Sequence, residues 1–298
     1  MKKLVWLTSF CLAPISIFAL PDYEPFADST GSGGTSYTTG TNLIGQTGTS
    51  GRTWFQAGPG TAPQPTIAAG DLLVNGLAST GGNQSAGFGG GSGTSARLNL
   101  SVGAGGITSG TVYYSFAMRL TDMTALNTAG VFWAGFNNTQ GSQTTTPNTV
   151  VTRLVTRSAG AGLYNVGLDK ASGVASSFVW ATGDFTTADT LFVVGSYTFN
   201  PSADDDSSQL WLNPDSSTFG AGSAPGGSIS SILGTDIARV ASFVLYDRSA
   251  NEPTAGAIDD LRFGLSWADV TPSSVPEPST FALGALGLAW LCTRRRSA

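Results

Sequence analysis

The chain has 298 residues, with 19 Asp and Glu against 14 Lys and Arg and no histidine. The missing histidine excludes Ser-His-Asp and Cys-His nucleophilic systems, histidine general bases and histidine-ligated zinc. The acidic balance disfavours nucleic acid and anionic membrane surfaces as partners, because both attract a basic surface.

The N-terminus has the pattern of a secretory signal peptide. Lys2 and Lys3 precede an apolar stretch that runs to Leu20, and Ala19 offers a small residue for cleavage. We therefore expect residues 1–19 to be removed as the chain is exported through the inner membrane.

Residues 20–272 are predicted to form one β-sandwich domain, since sandwiches commonly reach about 200–250 residues. Without the two terminal signals, 18 acidic and 9 basic side chains remain, a net charge of about −9 that favours solubility. Cys11 and Cys292 both fall in the segments to be removed, so no disulfide is expected to hold this domain.

Short runs of β-branched and aromatic residues, separated by Gly, Ser, Thr, Asn and Pro, dominate this region. They predict about eleven strands of an all-β, antiparallel sandwich. The runs are 71–75, 97–102, 111–120, 130–136, 149–156, 162–168, 177–180, 190–199, 209–213, 239–246 and 257–263. In the third run, Val112, Tyr114, Phe116, Met118 and Leu120 alternate onto one face, which is predicted to be core.

Lys170 and Trp211 are two single residues that could carry chemistry. Lys170 is the only lysine between the terminal signals, and its surroundings, Gly167 to Ser172, match no catalytic motif, so it is interpreted as a turn residue. Trp211 points away from Leu210 and Leu212. Packing is the preferred role for this tryptophan, with ligand stacking as the alternative.

The Gly-rich stretch from Gly81 to Gly93 has neither the lysine nor the strand-then-helix context of a phosphate-binding loop. It is predicted to be a loop, because glycine permits backbone conformations that are closed to other residues.

Three consecutive aspartates, Asp204, Asp205 and Asp206, supply oxygen ligands of the kind that calcium uses. They cannot all face one ion from an extended strand, and no EF-hand spacing follows. A solvated turn is therefore the preferred interpretation, with calcium as the alternative and no other cofactor expected.

Asp259 and Asp260 are adjacent in a predicted strand, so at most one of them would face a ligand. We assign neither to catalysis and expect the protein not to be an enzyme. The alternative is a carbohydrate-active enzyme with paired aspartates on the sandwich face, since two carboxyl groups suffice for glycoside hydrolysis.

The C-terminus combines a Pro-flanked acidic motif, a short apolar run and a basic cluster. A helix of twelve apolar residues is about 18 Å long, shorter than a hydrocarbon core of about 30 Å, and the arginines after it resist translocation. These parts are Val275, Pro276, Glu277 and Pro278, then Phe281 to Cys292, then Arg294, Arg295 and Arg296. An ordinary short membrane anchor is the alternative to a processed tail.

The tail, residues 273–298, resembles the PEP-CTERM sorting tails of Gram-negative bacteria. The resemblance implies an exosortase-type protease as partner, transient inner-membrane association, and a final place at the cell surface or in the extracellular matrix.

A second resemblance covers nearly all of residues 20–272. It rests on segments that follow one another along the chain: Tyr23 to Phe26, Gly-rich segments with Trp54, Leu72 to Val74, Val112 to Phe116, Leu210 to Asp215, and the closing segment from Ile258 to Val270. These segments resemble laminin-G-like, concanavalin-A-like jelly rolls. The resemblance implies a noncatalytic, lectin-like domain associated with polysaccharide or matrix, and a structural protein without a ligand is the third hypothesis.

Overall fold

The computed structural model describes residues 20–27, 37–48, 51–60, 63–79, 81–89, 93–147, 149–247 and 250–274. Fifteen strands lie in this part of the chain, together with two 3-10 turns and one short helix. The strands are β1 Asp22–Glu24, β2 Trp54–Gln56, β3 Thr66–Ala69, β4 Gln84–Phe88, β5 Ala96–Asn99, β6 Gly110–Asp122, β7 Val131–Asn137, β8 Val150–Gly160, β9 Leu163–Asp169, β10 Val179–Trp180, β11 Leu191–Phe199, β12 Ser207–Leu212, β13 Ile229–Ser231, β14 Ser242–Leu245 and β15 Ala255–Gly264; the 3-10 turns are Ala175–Ser177 and Ser216–Thr218, and the helix α1 is Trp267–Val270.

The strands form two antiparallel sheets, which confirms the predicted all-β sandwich. One sheet has the order β13-β12-β11-β6-β15-β4-β3, with β1 added beside β15. The other has the order β10-β9-β8-β7-β14-β5-β2. The two are called here the eight-stranded and the seven-stranded sheet.

The main core lies between the sheets and is rich in aromatic rings. The five residues predicted to share one face of β6 are all buried in it, so the predicted alternation is confirmed. The Tyr114 ring packs 5.1 Å from that of Phe136 and 5.2 Å from that of Phe243, across to the other sheet. Such contacts between non-parallel rings stabilise a core beyond the area that they bury.

A second apolar cluster covers the outer face of the eight-stranded sheet. There Trp211 packs 5.2 Å from Trp267 of α1, and its Nε1 donates to the carbonyl of Pro225 at 2.9 Å. The predicted packing role of Trp211 is therefore confirmed.

The α1 helix begins at a reciprocal cap. The Ser266 hydroxyl accepts from the Asp269 N–H, and the Asp269 carboxylate accepts from the Ser266 N–H. This capping box satisfies two backbone donors at a helix start and fixes Trp267 over the sheet.

One strand prediction and one loop prediction were wrong. Residues 71–75 form no strand, because the N–H of Leu72 bonds to the Asp259 carboxylate at 2.9 Å rather than to a neighbouring strand. The predicted Gly-rich loop contains β4, which pairs with both β15 and β3. Small residues suit β4, since Gly87 lies against Thr66 and Ala68 of β3.

The signal peptide of residues 1–19 and the apolar run from Phe281 to Cys292 lie outside the described residues. Within the described ranges, no helix is long and apolar enough to span a membrane.

Candidate functional site

The aspartates proposed for calcium lie in a mixed-charge cluster. Asp205 and Asp206 approach Asp236, with carboxylate oxygens within 4.8 Å of one another. Asp204 is not among them. Lys170 donates from Nζ to the Asp236 carboxylate, so a lysine ammonium already supplies a cation to this cluster.

Lys170 lies at a bend after β9, as expected for a turn residue, but its side chain is fully buried. Asp206 is also buried and accepts from the Tyr197 hydroxyl at 2.6 Å and the Asn200 N–H at 2.7 Å. Lys170 is therefore a turn residue as predicted, although a buried one, whereas the interpretation of Asp206 as part of a solvated turn is wrong. The burial of Lys170 could not be predicted from the sequence, because its partner Asp236 is distant in the chain.

Asp259 and Asp260 are buried at a β-bulge in β15, where Asp260 has a left-handed backbone with φ of 55°. Asp259 accepts from the N–H groups of Leu72 and Asp260. Burial, followed by the nearby charges of Asp260 and Asp71, raises the pKa of Asp259 to about 8.

Asp260 accepts from the Tyr23 hydroxyl and, at 3.0 Å, from the Ser79 hydroxyl. Arg262 stacks 4.2 Å from the Tyr23 ring centroid. A cleft of about 480 Å³ lies beside this group, between β1 and the residues that follow α1. The carboxylate of Asp260 is thus engaged within the fold, where it links β1 to β15.

The outer face of the seven-stranded sheet carries a row of aromatic and arginine side chains. Register places Trp180 of β10 opposite Gly167 of β9, Gly167 opposite Val155 of β8, and Val155 opposite Phe132 of β7. The Phe132 ring then lies 4.8 Å from that of Tyr246. Alternation turns this row away from the core, in which Trp133 and Leu154 are buried.

Each end of the row has an arginine on an aromatic ring. The Arg157 guanidinium lies 4.1 Å from the Trp180 ring centroid, and the Arg153 guanidinium lies 4.5 Å from that of Phe132. Such cation–π contacts hold an arginine flat on the ring. We call this set the arginine–aromatic face: Phe132, Arg153, Arg157, Asn165, Trp180 and Tyr246.

The two arginines differ in their polar contacts. Arg153 is buried and bonds to Asp169 at 2.8 Å and to the Val150 carbonyl at 2.7 Å. Arg157 is half-buried, and its Nε donates to the Asn165 side chain at 2.9 Å. Among the described residues, no partner contacts the two terminal amino groups of Arg157, which are solvent-accessible and able to donate to a ligand.

Gly167 makes the face possible. A Cβ at this position would lie 2.8 Å from Cε3 of Trp180, so only glycine lets the indole lie flat across β9. Trp180 is predicted to lie in a strand, but its contact with Arg157 could not be predicted from the sequence. Only the pairing of β8, β9 and β10 brings the two residues together. The alternation of Arg153, Val155 and Arg157 was the available signal.

A model of the PEP-CTERM protein-sorting motif matches residues 274–296. The chain carries a PEP-CTERM sorting motif. This confirms the predicted resemblance of the tail and indicates export, sorting to the cell envelope and processing by an exosortase.

Val275 to Pro278 and Arg294 to Arg296 of the sorting motif lie outside the described residues, but the segment just before them is fixed. The Ala78 N–H donates to the Pro272 carbonyl at 2.8 Å, and the Ser274 N–H donates to the Gly76 carbonyl at 2.9 Å. Backbone pairing therefore continues to the first residue of the sorting motif, with no unpaired spacer in between.

No curated protein matches the chain. Three solved structures are similar in fold: the carbohydrate esterase of the Shiga toxin-encoding bacteriophage phi24B (TM-score 0.41, 12% identity, 76% of this chain and 98% of that chain), the carbohydrate recognition domain of Emp47p (0.37, 11%, 81% and 94%), and a protein of unknown function from Shewanella oneidensis MR-1 (0.41, 14%, 92% and 100%). Likenesses at these TM-scores carry no argument about function.

Proposed function

We propose that the chain is a noncatalytic protein of the cell surface or extracellular matrix, whose sandwich binds polysaccharide through the arginine–aromatic face. The sorting motif at residues 274–296 supports the destination. The arginine–aromatic face is the observation that carries the binding activity.

The chemistry of this face suits a sugar chain. Aromatic rings such as Trp180 and Tyr246 pack against the apolar C–H faces of sugars, and the few polar groups that fix a ligand's orientation can be arginine and amide side chains. The free amino groups of Arg157 would donate to sugar hydroxyl or carboxylate oxygens, and Asn165 holds the guanidinium in position. The row spans four strands, which matches an extended polymer better than a single sugar.

The positions of two acidic side chains support the proposal that the protein is not an enzyme. Asp259 and Asp260, the paired aspartates of the alternative enzyme, are buried and hydrogen-bonded within the fold. Neither lies on the arginine–aromatic face.

Binding is tested with the full chain, purified in mild detergent, on immobilised polysaccharide fractions from the producing organism. We expect Trp180→Ala and Arg157→Met each to weaken binding about tenfold or more, since a stacked aromatic or charged contact contributes about 1–3 kcal/mol.

Two matched controls carry the same substitutions elsewhere. Tyr113→Ala removes a half-buried aromatic residue from the outer face of the opposite sheet, and Arg239→Met removes a half-buried arginine. Both should bind like the unmodified chain. Equal binding by all four variants would overturn the assignment to this face, and absence of binding to every fraction would overturn the function.

A further inference from the structure

One of the two arginines on the arginine–aromatic face has no acidic partner. Arg153 forms an ion pair with Asp169 at 2.8 Å, whereas Arg157 forms none with any described carboxylate. The one hydrogen bond of Arg157 to a described residue runs from Nε to Asn165, so both terminal amino groups remain accessible. Of the two arginines, only Arg157 is therefore able to bind a charged ligand.

The guanidinium of Arg157 is held in one orientation. Its Cζ lies 4.1 Å from the Trp180 ring centroid, and stacking on a ring leaves the in-plane N–H bonds free. Asn165, which accepts from Nε, is itself fixed, since its Nδ2 donates to the Gly183 carbonyl at 3.1 Å and to the Asp184 carboxylate at 2.5 Å. The donors that remain are the two terminal amino groups, which form a fork.

A fork of two N–H donors matches a carboxylate better than it matches a hydroxyl. A carboxylate accepts both hydrogen bonds at once, and hydrogen bonds between charged groups are about twice as strong as those between neutral groups. A single hydroxyl oxygen does not match this planar, two-point geometry. The Trp180 ring beside the fork offers an apolar surface to the C–H groups of a sugar. Together the two side chains suit a sugar that carries a carboxylate.

We propose that the polysaccharide bound by the arginine–aromatic face is a polyuronate, and that Arg157 binds the carboxylate of a uronic acid that stacks on Trp180. This inference rests on the proposed function and narrows its ligand from polysaccharide to acidic polysaccharide. Asp184 restricts the binding, because its exposed carboxylate is joined to Arg157 through Asn165 and repels a second acidic sugar there.

The net charge of the domain acts against this ligand at long range. A body that carries about −9 repels a polyanion, but at 0.15 M salt the screening length is about 8 Å. This screens the distant charges and preserves much of the direct contact between Arg157 and a carboxylate. Preference for an acidic polymer must therefore come from the local contact and be lost with Arg157.

The test compares a polysaccharide fraction that the chain binds with the same fraction after its carboxyl groups are reduced to hydroxymethyl groups. Reduction keeps the sugar backbone and any sulfate esters. The full chain, in mild detergent and about 0.15 M salt, should bind the reduced fraction about tenfold or more weakly, since a charged hydrogen-bonded contact is lost. Arg157→Met should bind both fractions equally weakly, because the donor of that contact is already absent.

Two further variants, each confirmed as folded by circular dichroism, separate charge from geometry. Arg157→Lys keeps the charge without the fork and should bind the acidic fraction severalfold more weakly. Asp184→Asn removes a negative charge but keeps an oxygen that accepts from Asn165. It should bind the acidic fraction up to about fivefold more tightly, with the gain confined to that fraction. An equal effect on both fractions would contradict this place for the carboxylate.

The inference is overturned if the unmodified chain binds both fractions equally, or if reduction weakens binding by Arg157→Met as much as binding by the unmodified chain. Either result leaves the proposed polysaccharide binding intact. Tight binding to the reduced fraction that still requires Arg157 would also overturn it, and would indicate a sulfate ester or a hydroxyl as the ligand. Absence of binding to every fraction would instead overturn the proposed function itself.

Discussion

Gly195 shows how one missing side chain shapes the core. It lies on β11 opposite Tyr114 of β6, and a Cβ there would lie 2.2 Å from the Tyr114 ring. The ring uses this space to place its hydroxyl 2.9 Å from the Thr152 carbonyl. Gly195→Ala should therefore lower the free energy of unfolding by about 1–3 kcal/mol, by overpacking.

Urea unfolding measures this change. Gly103→Ala is the control, because Gly103 has open space around its Cβ position and no left-handed backbone. Equal stability of Gly195→Ala and the unmodified chain would contradict the packing described for Tyr114.

Asp259 should make the free energy of unfolding depend on pH, and the direction of this change follows from its raised pKa. Its pKa of about 8 lies above the ordinary value of 3.8, so the folded state binds the proton more tightly than the unfolded state. Its contribution to stability is complete below about pH 4 and is lost as the pH rises through 8. The free energy of unfolding should fall in this window by up to about 1.4 kcal/mol per pH unit.

Unfolding in urea at several pH values measures this slope. The control is Asp259→Asn, whose side chain does not titrate. The variant should have a flatter profile between pH 5 and 8, whatever its absolute stability. Parallel profiles would show that Asp259 is ionised in the fold throughout this range.

The α1 helix depends on its first turn. The Ser266 hydroxyl caps the helix, and the helix holds Trp267, whose Nε1 donates to the Thr218 carbonyl at 2.9 Å. Ser266→Ala should lower stability by about 1 kcal/mol, and Ser266→Asp, which can also cap, should restore it. Urea unfolding of the three chains tests the cap, and an unchanged Ser266→Ala would show that packing alone holds α1.

The strands that could be predicted from the sequence are those whose alternation of apolar and polar residues matches their burial in the fold. β6 alternates cleanly and has one face in the core, so its register could be read directly. β4 could not be recognised, since its small residues favour a strand only when β3 and β15 lie on both sides. The strand prediction for residues 71–75 was wrong for the opposite reason. Their apolar residues suggest a strand, but the N–H of Leu72 donates to the Asp259 side chain and not to a neighbouring strand.

The candidate site was less predictable than the fold. The sorting motif is contiguous and was found from its order of parts. The arginine–aromatic face combines residues from β7 to β10 that only strand pairing brings together. Gly167 contributes because it has no side chain, which leaves room for the Trp180 indole.

In the whole molecule, export and the proposed polysaccharide binding belong to different parts of the chain. The sorting motif begins where the Ser274 N–H bonds to Gly76, so the sandwich is expected to stay close to the membrane until the tail is processed. Six residues separate Ser274 from the apolar run, and an extended chain of that length spans at most about 20 Å. After processing, the proposed binding through the arginine–aromatic face would hold the protein at the surface.

Fractionation of the producing organism tests this account most directly. The measurement is the share of tail-processed protein held by extracellular polysaccharide, compared between the unmodified chain and Trp180→Ala, with Tyr113→Ala as control. The account predicts that the unmodified chain and the control remain with the polysaccharide, while Trp180→Ala is processed normally but released into the medium. Retention of processed Trp180→Ala at the unmodified level would contradict it.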